Sequence, residues 1–376
     1  MPLGCLLSGG IDSSLIVSLM QKLSNEPVKT FSIGFNEKNF NEANHAKTVS
    51  KFVGTDHCEE YFTPDDLINL VEKLPEIYDE PFADASQLPT ILLSRITKKK
   101  VTVSLSGDGG DELFGGYNRH IWTSKLSWLI SFVPYILRFN LLKLLESKFF
   151  LNVFYYLKNI IKLKDLDSKV LKFFRALQAR DLNDLYNLMI SNRIDSSKIL
   201  KKESITQEET DKLNVGDFRS PQDLIMYRDL NCYLPDDILV KVDRASMSCS
   251  LESRVPFLNR DLVEFALSLP KEFKFDSFGG KSILKEILYE NIPRHIVERP
   301  KTGFSVPIAS WLRGDLKSWS AKYFSAEYLE NQNIFEVEPT IKLFNDHQDE
   351  SIDNSQEIWN ILMFQVWHEY WQKNLT

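Results

Sequence analysis

Along the first third of the chain, apolar and polar positions alternate in blocks. An apolar run ends at Leu7, and after a polar break Leu15, Ile16, Leu19 and Leu23 recur at helical spacing. This pattern predicts a buried strand feeding a helix that begins near Ser13. Residues 28–35 form a second β-rich run, and residues 42–53 carry Ala43, Ala46, Val49 and Val53 on one helical face. Residues 56–62 read as a third strand, 85–99 as a helix and 101–105 as a buried strand. Strands alternating with helices imply an α/β fold, a doubly wound parallel sheet whose ligands sit at the carboxyl ends of the strands.

Beyond residue 120 the pattern changes. Residues 121–200 are rich in Leu, Phe, Tyr and Lys, nearly free of Gly and helical in pattern, which predicts a largely helical insertion. Its Lys158, Lys162, Lys164, Lys169, Lys172 and Arg175 read as solvated helix faces rather than a membrane-surface stripe. Residues 201–217 read as a polar, mobile connection. Asn354 with Glu357 three residues on marks a capped C-terminal helix, whose Trp359, Leu362, Val366 and Tyr370 stripe reads as core. The most membrane-like stretch, 126–145, is broken by Pro134, Arg138 and Lys143, too short an uncharged run to span a bilayer. No signal peptide, internal repeat or low-complexity tract is visible.

Composition narrows the function classes. The 376 residues suffice for one large domain or two. A net charge of −7 gives no support to a nucleic-acid binder. Cys5, Cys58, Cys232 and Cys249 are scattered without paired spacing for zinc or a redox dithiol, which points to a reducing, cytoplasmic setting. Only a few residues precede the first strand, which suggests a piece of a longer protein or one partner of a split one.

Chemistry concentrates in two loops. The first is Ser8-Gly9-Gly10-Ile11-Asp12-Ser13-Ser14, at the end of the first strand. Glycines let the backbone approach a ligand, and free amides with three hydroxyls form a nest for a polyanion. Asp12 would repel phosphate unless a divalent cation lies between them, so the loop reads as a site for a phosphate–metal complex. It is not a Walker loop. The nearest look-alike, Gly279-Gly280-Lys281-Ser282, has Phe275 where the first glycine should stand. The second loop, Ser106-Gly107-Asp108-Gly109-Gly110-Asp111-Glu112, places three carboxylates within five residues. Unpaired burial of such charges is costly, so the cluster needs a cation or a proton-transfer task. The spacing of an EF-hand calcium loop is absent.

Both loops resemble those of the synthetase domain of the asparagine synthase family, within the ATP pyrophosphatases. Further matching blocks are Tyr233-Leu234-Pro235-Asp236-Asp237-Ile238-Leu239-Val240-Lys241-Val242-Asp243-Arg244 and Leu251-Glu252-Ser253-Arg254-Val255-Pro256-Phe257-Leu258. Gly280-Lys281 and Arg299-Pro300-Lys301-Thr302-Gly303-Phe304 follow in the family's order. The resemblance runs nearly end to end, and implies one synthetase domain over 1–376. Within it, 1–120 would be the nucleotide-binding core, 121–220 the insertion, 221–330 the second part of the core and 331–376 a helical cap.

The resemblance implies ATP and magnesium as cofactors. By it, Leu7, Ile33, Ser106 and Gly107 would line adenosine, and Ser8, Gly9, Gly10, Ser13 and Ser14 would hold pyrophosphate. Asp12 and Asp111 match the family's magnesium-associated aspartates. Lys301 matches a lysine that stabilises charge on the departing pyrophosphate; by itself it would read as a surface lysine. Asp108 stands where many members carry a Glu proposed as the base toward ammonia, and is one methylene shorter. Asp84, Ser86, Glu112 and Asp236 are acceptor-site candidates, whereas Lys285 reads as helix surface.

The implied reaction is amide formation through an acyl-adenylate, converting aspartate, ATP and ammonia or glutamine to asparagine, AMP and pyrophosphate. Alternatives are a paralogue amidating another carboxylate such as a sugar acid, and an ATP-binding regulatory module without turnover. The expected partners are small molecules, with neither nucleic acid nor membrane. An N-terminal glutaminase domain is not found in the chain, and Cys5 lies within a strand, where it should be inert. A separate or deleted glutaminase and a homodimer are left open.

Overall fold

Strand β1 (Leu3–Leu6) is short, and its Cys5 is fully buried between two neighbouring strands. Strand β2 (Lys29–Phe35) pairs with one edge and β4 (Val103–Leu105) with the other, so Cys5 stands opposite both Thr30 and Leu105. Strand β3 (Asp56–Phe62) adds beyond β2 and β5 (Glu252–Arg254) beyond β4. The sheet order is therefore β3–β2–β1–β4–β5, all parallel, a doubly wound α/β arrangement. Six of the seven β2 residues are buried, as expected of an interior strand covered on both faces. Because strand order reverses between β1 and β4, loops leaving their adjacent carboxyl ends diverge and open a crevice. The computed structural model describes residues 1–37, 40–145, 173–174, 177–191, 196–201, 213, 215–277, 279–299 and 306–375.

Several boundaries differ from the sequence reading. The strand expected over 101–105 starts only at Val103, and β5 was not anticipated, since three residues with polar ends carry no legible period. Helix α1 (Ile11–Lys22) starts two residues before Ser13, which puts Asp12 in its first turn. Its burial is a continuous run, Ser13 to Ser18, while Leu19 and Leu23 are 40% and 90% exposed. The start of α1 is enclosed on several sides, whereas Leu19 and Leu23 near its end point to solvent and only Met20 there packs on the core. Helix α2 (Ala43–Val53) buries Ala43, Ala46 and Val49 as the periodicity predicts.

The C-terminal helix Ser355–Leu375 buries Trp359, Leu362 and Val366 in the core that also holds Tyr78 and Trp311, with Tyr370 half-buried. Helices Asn118–Phe132 and Leu182–Ile190 build a separate small core that includes Leu126, Leu185 and Tyr186, closed by Leu224 from the helix Pro221–Arg228. Phe132 and, on the helix Tyr135–Leu145, Ile136 lie exposed, so these helix faces are not purely polar. The six basic residues at 158–175, and most of the 201–217 connection, lie outside the described residues. Among the described residues no helix is long and apolar enough to cross a membrane.

Candidate active site

The carboxyl end of β1 is extended by Leu7, whose amide donates to Phe31 at 2.8 Å. Then the chain turns. Gly9 adopts φ +77°, and a Cβ there would stand 2.8 Å from the Ala46 nitrogen, so only glycine fits. Gly10 caps α1, and its amide donates to the Ser8 hydroxyl at 3.3 Å. The Ser8 and Ser13 hydroxyls lie 3.0 Å apart beside the helix start. Amides at a helix N-terminus beside hydroxyls suit an anion.

At the neighbouring strand end, the Ser106 amide continues the ladder by donating to Arg254 at 3.0 Å. Gly107 then presses on the first loop, where a Cβ would meet the Ser13 nitrogen at 2.9 Å and Asp12 Cβ at 3.0 Å. The two loops are thus in contact at the sheet's switch point. They open on a cleft of about 1570 Å³, lined also by Leu7, Ile33, Asp84, Ser86 and Glu112. That exceeds the roughly 300–1,000 Å³ usual for one small ligand, and leaves room for two substrates. Gly9 and Ser14 do not line it; Ser14 is fully buried beneath the loop. Lys301 lies outside the described residues. Arg299, two residues before it, reaches the first loop, donating to Glu42 at 2.8 Å and to the Ser8 carbonyl at 3.4 Å.

A lysine to which the sequence reading gave no role occupies the centre. Lys281 follows a two-strand hairpin, Phe275–Asp276 with Gly279–Gly280, and its amide donates to Phe114 at 2.9 Å. Its ammonium bridges Asp12 and Asp111, 2.5 Å from Asp111 Oδ1. Burial opposes its charge, but Asp111 and then Asp12 outweigh that, holding the amine protonated well above the usual lysine range. Lys285, expected on the helix surface, instead lines the cleft 3.9 Å from Asp276, because the helix Ser282–Tyr289 turns this face inward.

The other wall is built on the π-helical segment Asp229–Leu239 and the helix Val240–Met247 that continues it. Lys241 donates to Asp84 at 2.6 Å, and the Ser86 hydroxyl donates to the same carboxylate at 2.9 Å. Burial pushes Asp84 up, yet Lys241 and Ser86 outweigh it and keep the carboxyl below its ordinary range. Asp237, not Asp236, faces the cleft; Asp236 is exposed outside it. Loss of water and the Asp84 charge raise Asp237 to about 6, against the pull of Lys241. Arg119 sits in the corner made by the perpendicular rings of Tyr117 and Tyr233, 3.9 and 4.4 Å from their centres. Its guanidinium donates at 2.8 Å to the fully buried Asp229, which also contacts His120 at 2.6 Å.

The acidic loop divides between these walls. Asp108 is pushed up by burial and by Asp111, while Ser106 and Lys241 draw it back. Glu112 is buried and raised to about 7 by loss of water, although the Tyr117 hydroxyl donates to it at 2.7 Å. Among the described residues no group of three or more His, Cys, Asp or Glu side chains is arranged to hold a metal ion. The converging pair Asp12 and Asp111 is nevertheless a donor set that suits magnesium, which commonly takes one or two carboxylates and completes its shell with substrate phosphates and water.

Lys281, Lys241, Asp237 and Arg119 were missed as site residues. The first three stand inside the matched blocks, and the signal for Asp237 and Lys241 was the run Asp229, Tyr233, Asp237, Lys241 at intervals of four residues.

Comparison with known proteins bears on this cleft. The family profile for asparagine synthase matches residues 1–369. Asparagine synthetase (glutamine-hydrolyzing) 1 of Bacillus subtilis is 32% identical over 376 aligned residues, covering 98% of this chain and 56% of that protein. A Mycobacterium bovis relative is 29% identical over 374 residues, covering 97% of this chain and 54% of its own length. Asparagine synthetase (glutamine-hydrolyzing) of Gallus gallus is 26% identical over 321 residues, 82% of this chain and 40% of that protein. The chain spans about half the length of the first two relatives.

Proposed function

This chain belongs to the asparagine synthase family, and we propose on that premise that it forms an amide at the expense of ATP, with aspartate as the acceptor. The products would be asparagine, AMP and pyrophosphate, by way of an acyl-adenylate. The observation that carries this reading is the contact between the Ser8–Ser14 and Ser106–Glu112 loops at the switch point, with both opening on one cleft. Adenosine would lie along Leu7, Ile33, Ser106 and Gly107. Pyrophosphate would sit on Ser8, Gly10 and Ser13, while Gly9 and Ser14 shape the loop from beneath.

Magnesium, when held by Asp12 and Asp111 with phosphate oxygens, would offset charge growing on the leaving group. Every other task falls to side chains. Asp108 would take a proton from the attacking ammonia; it lines the same cleft as Lys241 and feels that lysine's charge. Lys301 keeps the leaving-group role that the resemblance implies. Opposite charges side by side, Lys241 and Asp84, suit an acceptor carrying both a carboxylate and an ammonium. This supports aspartate over a sugar acid, which has no ammonium. Nitrogen would arrive as ammonia, free or from a glutaminase, in the cytoplasm.

The test is pyrophosphate release with ATP, magnesium and ammonium over a panel of acids. Release with aspartate, together with asparagine formation, is expected. Release with a sugar acid and none with aspartate would overturn the acceptor; no release with any acid would favour a regulatory module.

A further inference from the structure

The two carboxylates assigned above to magnesium already share a counter-ion that belongs to the protein. The Lys281 ammonium is in contact with both Asp12 and Asp111, and the lysine is 6% exposed. We propose that Lys281 and a divalent cation compete for this pair, and that the nucleotide's phosphates draw the ammonium away, so that metal enters with nucleotide and not before it. The proposal rests on the reading of Asp12 and Asp111 as the metal's ligands.

The chain is shaped to put the ammonium there. Lys281 adopts φ +63°, a left-handed conformation unfavourable for a residue with a Cβ. Gly116 leaves the space its side chain needs: a Cβ there would lie 1.8 Å from Asp111 Oδ1 and 2.1 Å from Lys281 Cε. Gly280 packs as closely on its far side, where a Cβ would lie 1.9 Å from the Gly115 carbonyl oxygen. The backbone is also pinned, since Lys281 donates to Phe114 and begins the helix Ser282–Tyr289. Only the flexible four-carbon stem remains to move.

Charge arithmetic then sets the order of events. Two carboxylates carry two negative charges and one ammonium offsets one. A divalent ion added with the ammonium in place would set two cations in contact inside a poorly solvated cleft, where like charges repel strongly. One of them must leave. Triphosphate supplies the missing negative charge beside Ser8 and Ser13, on the same cleft as Lys281. A lysine ammonium is a compact point charge with rotatable donors, suited to exchanging a carboxylate for a phosphate.

The experiment measures Mn2+ binding from the electron paramagnetic resonance signal of the free ion. It uses the whole chain, with and without an ATP analogue uncleavable between the α- and β-phosphates, corrected for Mn2+ held by the analogue alone. Without nucleotide, Lys281→Met is expected to bind Mn2+ about tenfold or more tightly than the unaltered protein, because the pair has lost its internal cation. Adding Asp12→Asn should abolish that gain. Equal or weaker binding by Lys281→Met overturns the proposal. Should circular dichroism show that Lys281→Met does not fold, Lys281→Gln is read the same way. The unaltered protein supplies a separate criterion: the analogue must tighten its Mn2+ binding about tenfold or more, and equal affinity in both conditions overturns the proposal. Absence of Mn2+ binding even with the analogue overturns the metal reading of the pair as well.

Discussion

Asp108 and Asp111 stand three residues apart in one loop yet answer to different lysines. Asp111 meets Lys281 on the side proposed for phosphate, and Asp108 feels the charge of Lys241 on the side proposed for the acceptor. Their chemistry should therefore separate in the two half-reactions. Asp108→Asn is expected to cost amide formation about 3 kcal/mol, the scale of removing one preorganised electrostatic contact, and to cost adenylate formation less. Quenched-flow detection of the AMP-linked intermediate beside the amide, with aspartate supplied first and ammonia second, reads both steps. A normal amide yield would move the base elsewhere, with Glu112 the next carboxylate on the cleft. Because burial raises Asp108, its ionised and basic form develops at higher pH than in an ordinary aspartate.

At the scale of elements, the C-terminal helix has two unlike faces. Trp359 and Leu362 anchor the inner one in the core. On the outer face Glu369 accepts from Lys322 at 2.8 Å, Lys373 at 2.7 Å and Tyr323 at 2.9 Å. Partial burial works against its charge, but these hydrogen bonds outweigh it and hold the carboxyl at about 2. A carboxyl depressed on folding stabilises above its unfolded pKa, and that contribution is lost as pH falls through the folded one. Glu369→Gln is thus expected to cost about 1–3 kcal/mol at pH 7, the upper part discounted for solvent around the lysines. The difference should shrink between about pH 4.5 and 2. Thermal melts of both proteins across that range check it; a difference that stays constant into acid would show that Glu369 acts through packing alone.

For the whole molecule, the sheet order decides which side chains are sealed inside and which open on the cleft. With β1 central, Cys5 is sealed between β2 and β4, and burial pushes its thiol far above the ordinary range. No role as a glutamine-attacking nucleophile is compatible with that position. The purified chain is expected to form amide from ammonium salts and to release no glutamate from glutamine. Glutamate release that disappears in Cys5→Ser would contradict this assignment.

How much was legible beforehand follows from the range of each interaction. The alternation of runs at 28–35, 42–53 and 56–62 determined the α/β class, because strand and helix periods are local properties of consecutive side chains. The two glycine-rich loops declared themselves for the same reason. Their spacing and polar residues imply strand–turn–helix sites without any distant contact. What lay beyond reach depended on phase and on partners far along the chain. Asp236 and Asp237 are adjacent and chemically equal, and the π-helical segment, whose turns are wider than those of an α-helix, settled which of them faces the cleft. The apolar spacing of Leu19 and Leu23 could not announce that this side of the end of α1 faces solvent. Lys281 read as a poor Walker match because its meaning lies 269 residues away at Asp12. Only the folded chain joins them, since an ion pair is set by distance in space and leaves no local pattern.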